Sequence, residues 1–398
     1  MDHTEVVRRR SWRPRCAPAV ALGAALALAV SIAARPAAAE TRGYVISWFA
    51  TATYIRDFKE NCPNDRNKGR TELDIRRLTE IGYTREQATK IVGTGTVTLA
   101  AQYEQRIATN ATQSNGKHVS IYNYPDATKD PNIETVTGKY AYGFDLGGST
   151  PAAKFEDPET HEKIDNQLWR AVGCTESFNK VPPGKPYPEE LSWNLMIDSA
   201  PAWTMQISGA DLSKDGPVTV TLDRATQHLE RDANGDVEAD GTYIIEPHST
   251  SHNVLQGQIK GGVLTITPTS LYMQGELPFY FEIALRDAHM RIEAGPEGKL
   301  VGYWGGYLNW RNYMYMYTSR PPNGADSIGL FWAVKKMADS NPDPKTGENR
   351  DISGTFRMEA LPAYLAHTDG KIVALPAHDS GALREIQGLD ETTVKLTN

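Results

Sequence analysis

The stretch FYFEIALRDAHMRIE, residues 279–293, decides the fold class because apolar and polar side chains alternate along it. Alternation with a period of two is typical of a β-strand with one face toward a core. The same pattern occurs at residues 217–222 and 263–267, and Gly261-Gly262 supplies a turn. Strands that follow one another through turns, without helices between them, favour antiparallel pairing. We therefore expect a mainly β fold, either an antiparallel β-sandwich or a barrel-like sheet.

Helices are predicted at a few places outside these strands. Residues 71–81 carry apolar side chains at helical spacing, and Thr84 with Gln87 forms the pattern of a capping box. Asp326 precedes a segment, residues 328–337, whose apolar residues also fit a helix. The sequence thus predicts a small helical N-terminal region and one later helix.

The chain divides into four predicted parts. Residues 1–39 have a basic start, an alanine- and leucine-rich run and a small-residue cleavage signal, which is the layout of a secretory signal peptide. Residues 40–180 form a mixed N-terminal region, residues 190–370 a β-rich domain and residues 371–398 a tail. A proline-rich crossing at residues 181–188 separates the two large parts.

Export and charge limit the classes of function. Removing residues 1–39 takes away six arginines and two acidic residues, which changes the formal net charge from −7 to −11. An acidic chain is poorly suited to nucleic acids, which attract basic surfaces. We expect a periplasmic or secreted protein with no nucleic-acid partner and no stable membrane span after signal cleavage; an uncleaved anchor is the alternative.

Two cysteines, Cys62 and Cys174, remain after the predicted cleavage. In an oxidising compartment an isolated pair is most simply one disulfide. The alternative is a reactive thiol, which needs a histidine or cationic partner that neither cysteine has beside it in sequence.

The segment IDNQLWRAVGC, residues 164–174, concentrates a carboxylate, two amides, an indole, a guanidinium and a thiol. One interpretation is a buried turn whose polar side chains bond to neighbouring loops, because a buried polar group needs a partner. The other is a ligand or calcium site to which Asp165 and Asn166 contribute ligands, because their side-chain oxygens suit hard cations.

This segment resembles an element, Asp-Asn-Gln-Leu…Gly-Cys, of a group of secreted bacterial proteins to which no activity is attached. Members often carry an Asp where this chain has Gly147, a departure that weakens the metal interpretation. The resemblance implies a context and no mechanism. It extends over residues 142–148, 155–158 and 164–174, with weaker similarity at residues 285–289 and 305–307.

A second calcium-like pattern lies at residues 232–241. Oxygen-bearing side chains stand at alternate positions there, as a calcium loop requires. The pattern departs from the usual loop at Val237, where glycine is expected, and at Tyr243, where glutamate is expected. A solvated acidic hairpin is the alternative. The predicted ligands are Asp232, Asn234, Asp236 and Asp240.

Common nucleotide-binding, serine-hydrolase and zincin motifs do not occur in the sequence. Asp287 and His289 are the best candidates for catalysis, because residues two apart on a strand face the same side and an Asp can orient a His base. His248 and His252, with Glu246, have metal-ligand side chains at close spacing but lie in a loop-like segment.

The densest aromatic run is YWGGYLNWRNYMYMY, residues 303–317. On a strand, its alternating tyrosines would share one face and could stack a sugar or another flat small molecule. The alternative is a core strand. The predicted ligand-binding residues are Trp304, Tyr307, Trp310, Tyr313, Tyr315 and Tyr317.

Together these patterns predict an exported binding or structural protein, stabilised in one interpretation by calcium, whose partner is a small molecule or a carbohydrate. The alternative is a secreted hydrolase with scattered acid and base residues.

Overall fold

The structure is a computed structural model. Its described residues belong to one compact unit that begins at Glu40. The described residues are 40–67, 69–80, 82–93, 111–112, 115–121, 123–148, 150, 153–176, 178–179, 197, 200–275, 282–318 and 326–376. The predicted signal peptide and the proline-rich boundary at residues 181–188 lie outside them.

Strands make up most of the regular structure, as the alternating pattern predicted. They are, in chain order, β1 Glu40–Thr51, β2 Ala111–Thr112, β3 His118–Val119, β4 Phe155–Glu156, β5 Lys163–Ile164, β6 Trp203–Gly209, β7 Gly216–Arg224, β8 Thr242–Ile244, β9 Asn253–Lys260, β10 Val263–Ile266, β11 Thr269–Gln274, β12 Glu282–Ala294, β13 Leu300–Asn309, β14 Ser340–Pro342, β15 Asn349–Pro362, β16 Tyr364–Ala366 and β17 Ile372–Pro376.

Eight of these strands close into an antiparallel barrel, so the barrel-like alternative of the predicted fold class is the correct one. Neighbours around the barrel follow the order β1-β6-β7-β9-β10-β12-β13-β15. The ring closes where β1 pairs with β15, from Tyr44 opposite Pro362 to Thr51 opposite Phe356. Closure removes the free edges that an open sheet of these strands would have.

The described strands of the barrel enclose a hydrophobic core. Phe49 of β1 belongs to this core, with ring centroids 5.3 Å from Trp203, 5.2 Å from Trp304 and 5.1 Å from Phe356. Aliphatic side chains from every strand of the barrel, such as Val220 of β7, fill the space around these rings. Such aromatic clusters bury a large apolar area and favour tilted or offset contacts of this kind.

A β-bulge in β12 explains how one long strand keeps its apolar side chains inside. Ile283 and Leu285 face the core, and after the bulge Ala288, Met290 and Ile292 do so. The apolar positions therefore change from odd to even numbers, which requires one extra residue. Both halves of the opening stretch belong to this single strand, although residues 279–281 are not described.

Shorter strands cover part of the outside of the barrel. β17 pairs in parallel with the start of β1, and β16 connects β17 to β8. A small second core lies beneath them, around Val45, Tyr243 and Leu365. β11 pairs with β12, while β14 extends the sheet beyond β15.

The helices pack at the ends and sides of this barrel. They are α1 Phe58–Asn61, α2 Arg70–Glu80, α3 Arg85–Gly93, α4 Gln167–Val172, α5 Trp310–Thr318 and α6 Ser327–Met337. Within the described ranges, no helix is long and apolar enough to cross a membrane.

The predicted capping signals are confirmed. Thr84 Oγ1 accepts a hydrogen bond from Gln87 N at 3.1 Å, and Thr84 N donates to Gln87 Oε1 at 2.9 Å, so the two residues form a capping box before α3. Asp326 caps α6 by accepting from Gly329 N at 2.7 Å. α2 and α6 begin within one residue of the predicted starts.

The cysteine prediction is also confirmed. Cys62, directly after α1, and Cys174, shortly after α4, form a disulfide that spans 112 residues. Both side chains are fully buried beside Trp169 and Phe155. The bond therefore fixes the N-terminal segment to the polar motif at residues 164–174.

Candidate functional site on the outer face of the barrel

The polar motif begins helix α4. Asn166 is its N-cap: Oδ1 accepts from Trp169 N at 3.0 Å, while Nδ2 donates to Tyr142 O at 2.8 Å. Gln167 N donates to Ser353 Oγ at 3.0 Å, which attaches the start of the helix to β15. Arg170 donates to Val136 O at 2.9 Å. The motif thus has the buried, internally bonded arrangement of the first interpretation.

Asp165 is fully buried beside the helix and holds the neighbouring loop. Its backbone N donates to Phe144 O at 2.8 Å, and its Oδ2 accepts from Leu146 N at 2.8 Å. Lys154 Nζ lies 3.7 Å from the same carboxylate oxygen. Among the described residues, no group of three His, Cys, Asp or Glu side chains is placed to hold a metal ion. Calcium binding at Asp165 and Asn166 stays a prediction.

Residues 142–148, here called the covering loop, lie across the outer face of β12, β13 and β15. Tyr142 stacks on Tyr303 of β13 with ring centroids 5.0 Å apart. Tyr307 lies two residues after Gly305, on the same face of β13. Its hydroxyl donates to Leu146 O at 3.2 Å. The covering loop is therefore attached to the barrel at both of its ends.

A buried ion pair fixes the segment that follows the covering loop. Asp157 is 0% exposed, and its carboxylate accepts from Arg291 at 3.2 Å and from the backbone N–H groups of Gly143 and Thr160. Arg291 also bonds to Glu159 at 3.1 Å. A buried carboxylate with this many donors is well satisfied, and removing one partner would leave an uncompensated charge.

The bulge in β12 lies directly under the covering loop and contains Asp287. Arg286 pairs with Tyr307 and His289 with Gly305, so Asp287 is in the extra part of the strand. Its φ of 51° is in the left-handed region, which non-glycine residues occupy at a cost. Bulges of this kind redirect side chains and occur next to active sites.

Asp287 and His289 do come together, as their spacing predicted. Asp287 Oδ1 lies 3.9 Å from His289 Nε2, close enough for electrostatic attraction but too far for a direct hydrogen bond. The ring of Phe144 covers the imidazole, with centroids 5.5 Å apart. Both side chains are partly exposed, with 40% and 24% of their surfaces accessible.

Burial and the nearby carboxylates shift the pKa of His289 in opposite directions. Burial lowers the pKa of His289, while the negative charges of Asp287 and Asp145 partly offset this effect. Lys154 bonds to Asp145 and holds the pKa of Asp145 below its usual range. The neutral imidazole therefore lies among carboxylates. We call Asp145, Lys154, Asp287 and His289, together with the covering ring of Phe144, the His289 site.

Four separate segments of the chain meet at or beside the His289 site. The covering loop supplies Phe144, the motif supplies Asp165, β12 supplies Asp287 and His289, and β13 supplies Gly305 beneath the ring. These segments are far apart in sequence. Their convergence at one place on the barrel is the main reason to regard this place as the functional site.

The aromatic run has a different structure from the predicted strand face. Trp304 is buried inside the barrel, Tyr307 is buried under the covering loop, and Trp310 packs against Phe331 of α6 at 5.2 Å. Residues 310–318 form helix α5, so the expectation of alternating tyrosines on one strand was wrong. The side chains of the predicted ligand residues Tyr315 and Tyr317 lie outside the described part. A binding role stays a prediction.

The acidic segment at residues 232–240 forms a tight turn. Asp232 Oδ1 accepts from the backbone N–H groups of Asn234 at 2.8 Å and Asp236 at 3.0 Å. Asp240 N donates to Pro362 O at 2.7 Å. The carboxylates of Asp232 and Asp236 are exposed on this turn, which fits either the hairpin or the calcium interpretation.

A second Asp–His pair was missed by the sequence reasoning. His252 Nδ1 lies 2.7 Å from Asp223 Oδ1, and the carboxyl of Asp223 is largely buried while the imidazole is exposed. Burial raises the pKa of Asp223, and the hydrogen bond to His252 opposes this. Glu246, grouped earlier with His252, instead bonds to Arg224 at 2.6 Å. No sequence signal predicts this pair, because Asp223 belongs to β7 whereas His252 lies before β9, 29 residues later.

Comparisons with known proteins return nothing similar to this chain: no family model, no curated protein and no solved structure matches it.

Proposed function

We propose that this protein is exported and binds a small molecule at the His289 site, on the outside of its barrel. The observation that carries the proposal is the convergence of the motif, the covering loop and the strained bulge around His289. Backbone strain at Asp287 has a cost, and such strain is concentrated at functional sites.

The packed interior of the barrel supports an external rather than an internal ligand. Among the described residues, Phe49 and its aromatic neighbours are buried inside the barrel and pack against one another, whereas ligand-carrying barrels keep a cavity there. On the outer face, by contrast, Asp145, Asp287 and His289 remain partly accessible to solvent. A small polar molecule or a carbohydrate is the ligand class that these side chains favour.

The test is a small-molecule and saccharide screen followed by matched variants. A ligand identified by thermal shift is expected to lose its binding in His289→Gln and in Asp287→Asn. Asparagine tolerates a left-handed φ, so the second variant removes charge without adding strain. His252→Gln is the control, since it alters another carboxylate-paired histidine. Binding that depends equally on His252 and His289, or on neither, would refute the proposed site.

A hydrolase is the second candidate, and one observation favours it. Burial lowers the pKa of His289, so the imidazole is neutral at pH 7 and able to accept a proton, with Asp287 beside it. Hydrolysis of ester or glycoside substrates should then be lost in both His289→Gln and Asp287→Asn. Retention of a detected activity in these two variants would exclude this pair as its acid–base machinery.

Export is proposed on two grounds. The disulfide between Cys62 and Cys174 is typical of oxidising compartments, and residues 1–39 have the layout of a signal peptide. Fractionation of cells that express the full chain tests the proposal: the mature protein should appear outside the cytoplasm with a new N-terminus near residue 40.

Calcium stabilisation remains a proposal for the turn at residues 232–240, because Asp232 and Asp236 present carboxylates to solvent there. A melting curve with and without chelator tests it. A calcium-dependent rise in Tm that disappears in Asp236→Asn would support the site, whereas identical curves would reject it.

A further inference from the structure

A shallow trough crosses the outer face of the barrel at Gly305. Gly305 pairs with His289 of β12 on one side and with Thr355 of β15 on the other, so the three residues form a row across neighbouring strands. Because Gly305 has no side chain, the row is open in its middle. The ring of Phe144 lies in this opening, and a Cβ added to Gly305 would overlap it.

Thr355 contributes to this trough a polar group that lacks a partner. Its Oγ1 is buried and makes no hydrogen bond within the described part of the chain, and the residue is 1% exposed. The oxygen lies 3.1 Å from the position that a Cβ at Gly305 would take, so it points into the space beside the ring of Phe144. A buried hydroxyl without a partner destabilises the fold, and the phenyl ring has no polar atom to bond to it.

The backbone of Phe144 is held independently of its ring. Phe144 O accepts from Asp165 N at 2.8 Å, and the next turn of the covering loop is fixed by Leu146 N at the carboxylate of Asp165. Phe144 is only half-buried. Rotation about its side-chain bonds can therefore take the ring out of the trough while the covering loop stays bonded to the motif.

We propose that the trough is a subsite for a planar ring that carries a polar substituent, and that the ring of Phe144 occupies this subsite when no ligand is bound. The inference rests on the binding function proposed above and names its ligand class. Gly305 is the floor of the subsite, the imidazole of His289 is one wall, and the hydroxyl of Thr355 bonds to the substituent.

Charges of both signs border the subsite. Lys154 pairs with Asp145 and Asp165, Asp287 lies beside His289, and the guanidinium group of Arg291 lies 5.9 Å from the centroid of the Phe144 ring. The polar group that lacks a partner is the hydroxyl of Thr355, which is neutral. A neutral ring with a hydroxyl substituent, such as a phenol, therefore suits the subsite.

Phenol is the probe, and Phe144→Ala is the variant that empties the trough. Emptying an apolar space of this size creates a site for a small aromatic molecule. We expect Phe144→Ala to bind phenol about tenfold more tightly than the wild-type protein does, as measured by NMR titration. Phe58→Ala is the matched control, since Phe58 is also half-buried and lies under an arginine, Arg66, at 4.6 Å. It should bind phenol no better than wild type.

A second substitution separates this subsite from an ordinary cavity. In the Phe144→Ala background, Thr355→Val should weaken phenol binding about tenfold and leave toluene binding unchanged, because only phenol can bond to the hydroxyl. If Phe144→Ala fails to fold, as judged by circular dichroism and the intact disulfide, Phe144→Leu replaces it in the same series.

Two outcomes would overturn the inference: a folded Phe144 variant with no gain in phenol affinity, or phenol and toluene responding alike to Thr355→Val. Neither outcome involves His289→Gln or Asp287→Asn, so the broader binding proposal would stand or fall separately. Conversely, phenol binding that depends on Thr355 would support the subsite. If no ligand then requires His289, the broader proposal is refuted although the subsite stands.

Discussion

At the scale of single residues, Gly305 and Gly306 are required for different reasons. A side chain at Gly305 would overlap the ring of Phe144, whereas one at Gly306 would approach Arg286 O at 2.9 Å and Asp287 O at 3.2 Å in the bulge. Gly305 thus leaves room for the ring of Phe144, and Gly306 leaves room for the bulge of β12. Both are needed to bring Phe144 and His289 together.

His289 should titrate below the usual range for histidine. Burial lowers its pKa, so the unfolded chain binds a proton more readily than the folded protein. The stability contributed by neutral His289 is complete above the unfolded pKa, about 6.5, and is lost as the pH falls toward the folded value. NMR titration of the imidazole should give a pKa below that of a model peptide.

Asp287→Asn tests the cause of this shift. The charge of Asp287 raises the pKa of His289, so its removal should lower that pKa further. A higher pKa in Asp287→Asn would contradict the electrostatic account. His252→Gln should leave the titration of His289 unchanged.

Thr355→Val should stabilise the protein. The substitution keeps the shape of the side chain and removes a buried hydroxyl that lacks a partner, an effect of about 1 kcal/mol or more on the free energy of unfolding. Thr204→Val is the control, because Thr204 is equally buried but donates to Asp223 O at 3.3 Å. Denaturant unfolding should show a gain for the first variant and a loss for the second; a loss at Thr355 would mean that its hydroxyl is satisfied.

At the scale of elements, the bulge in β12 lets one strand contribute both to the core and to the His289 site. Without the extra residue, either Leu285 or Met290 would face solvent, because side chains alternate strictly along a strand. The extra residue is accommodated at Asp287, where the left-handed conformation directs the chain under Phe144. The same irregularity therefore preserves the core and creates the His289 site.

The bulge predicts an order of stability among variants at position 287. Asp287→Ala should destabilise the protein by about 1 kcal/mol, because alanine adopts a left-handed φ less readily than aspartate or asparagine. Asp287→Gly and Asp287→Asn should remain close to wild type in denaturant unfolding. Equal stability of the alanine and glycine variants would argue against strain at this position.

Helix α4 depends on the two bonds of Asn166. Asn166→Ala removes both the cap to Trp169 N and the bond to Tyr142 O, and should cost about 2–3 kcal/mol. Asn166→Ser keeps a neutral oxygen that can cap the helix but loses the amide that donates to Tyr142, so its stability should lie between those of alanine and wild type. If the two variants are equally stable in thermal unfolding, the cap contributes nothing.

At the scale of the whole molecule, the disulfide connects the N-terminal segment to the site. Cys62 and Cys174 close a loop of about a hundred residues, so their bond should contribute about 4–5 kcal/mol by restricting the unfolded chain. Reduction, or the double replacement of both cysteines by serine, should lower the midpoint of denaturant unfolding accordingly. Because the bond also anchors α4, the reduced protein should lose protection from hydrogen exchange first around Asn166. Protection there equal to that of the oxidised protein would contradict this coupling.

Much of the element structure could be predicted because it is determined by neighbours in sequence. The alternation at residues 217–222 and 263–267 correctly predicted β7 and β10, and the capping box at Thr84 involves groups only three residues apart. Cys62 and Cys174 could pair only with each other once the predicted signal peptide was set aside. The shift in apolar positions around Asp287 is also present in the sequence and indicates a bulge, whereas simple alternation predicts a continuous strand.

Only the tertiary structure determined the closure of the barrel and the composition of the site. No local pattern predicts that β1 pairs with β15, because that pairing depends on the burial of Phe49 against Trp304 and Phe356. The tyrosines at residues 313–317 alternate like a strand, yet they lie in helix α5, whose first residue, Trp310, packs against Phe331 of α6. The sequence by itself determined strands such as β7 and β10, since the side-chain periodicity that predicts them is local. The meeting of Phe144 with His289 depends on contacts between distant segments, and these exist only in the folded chain.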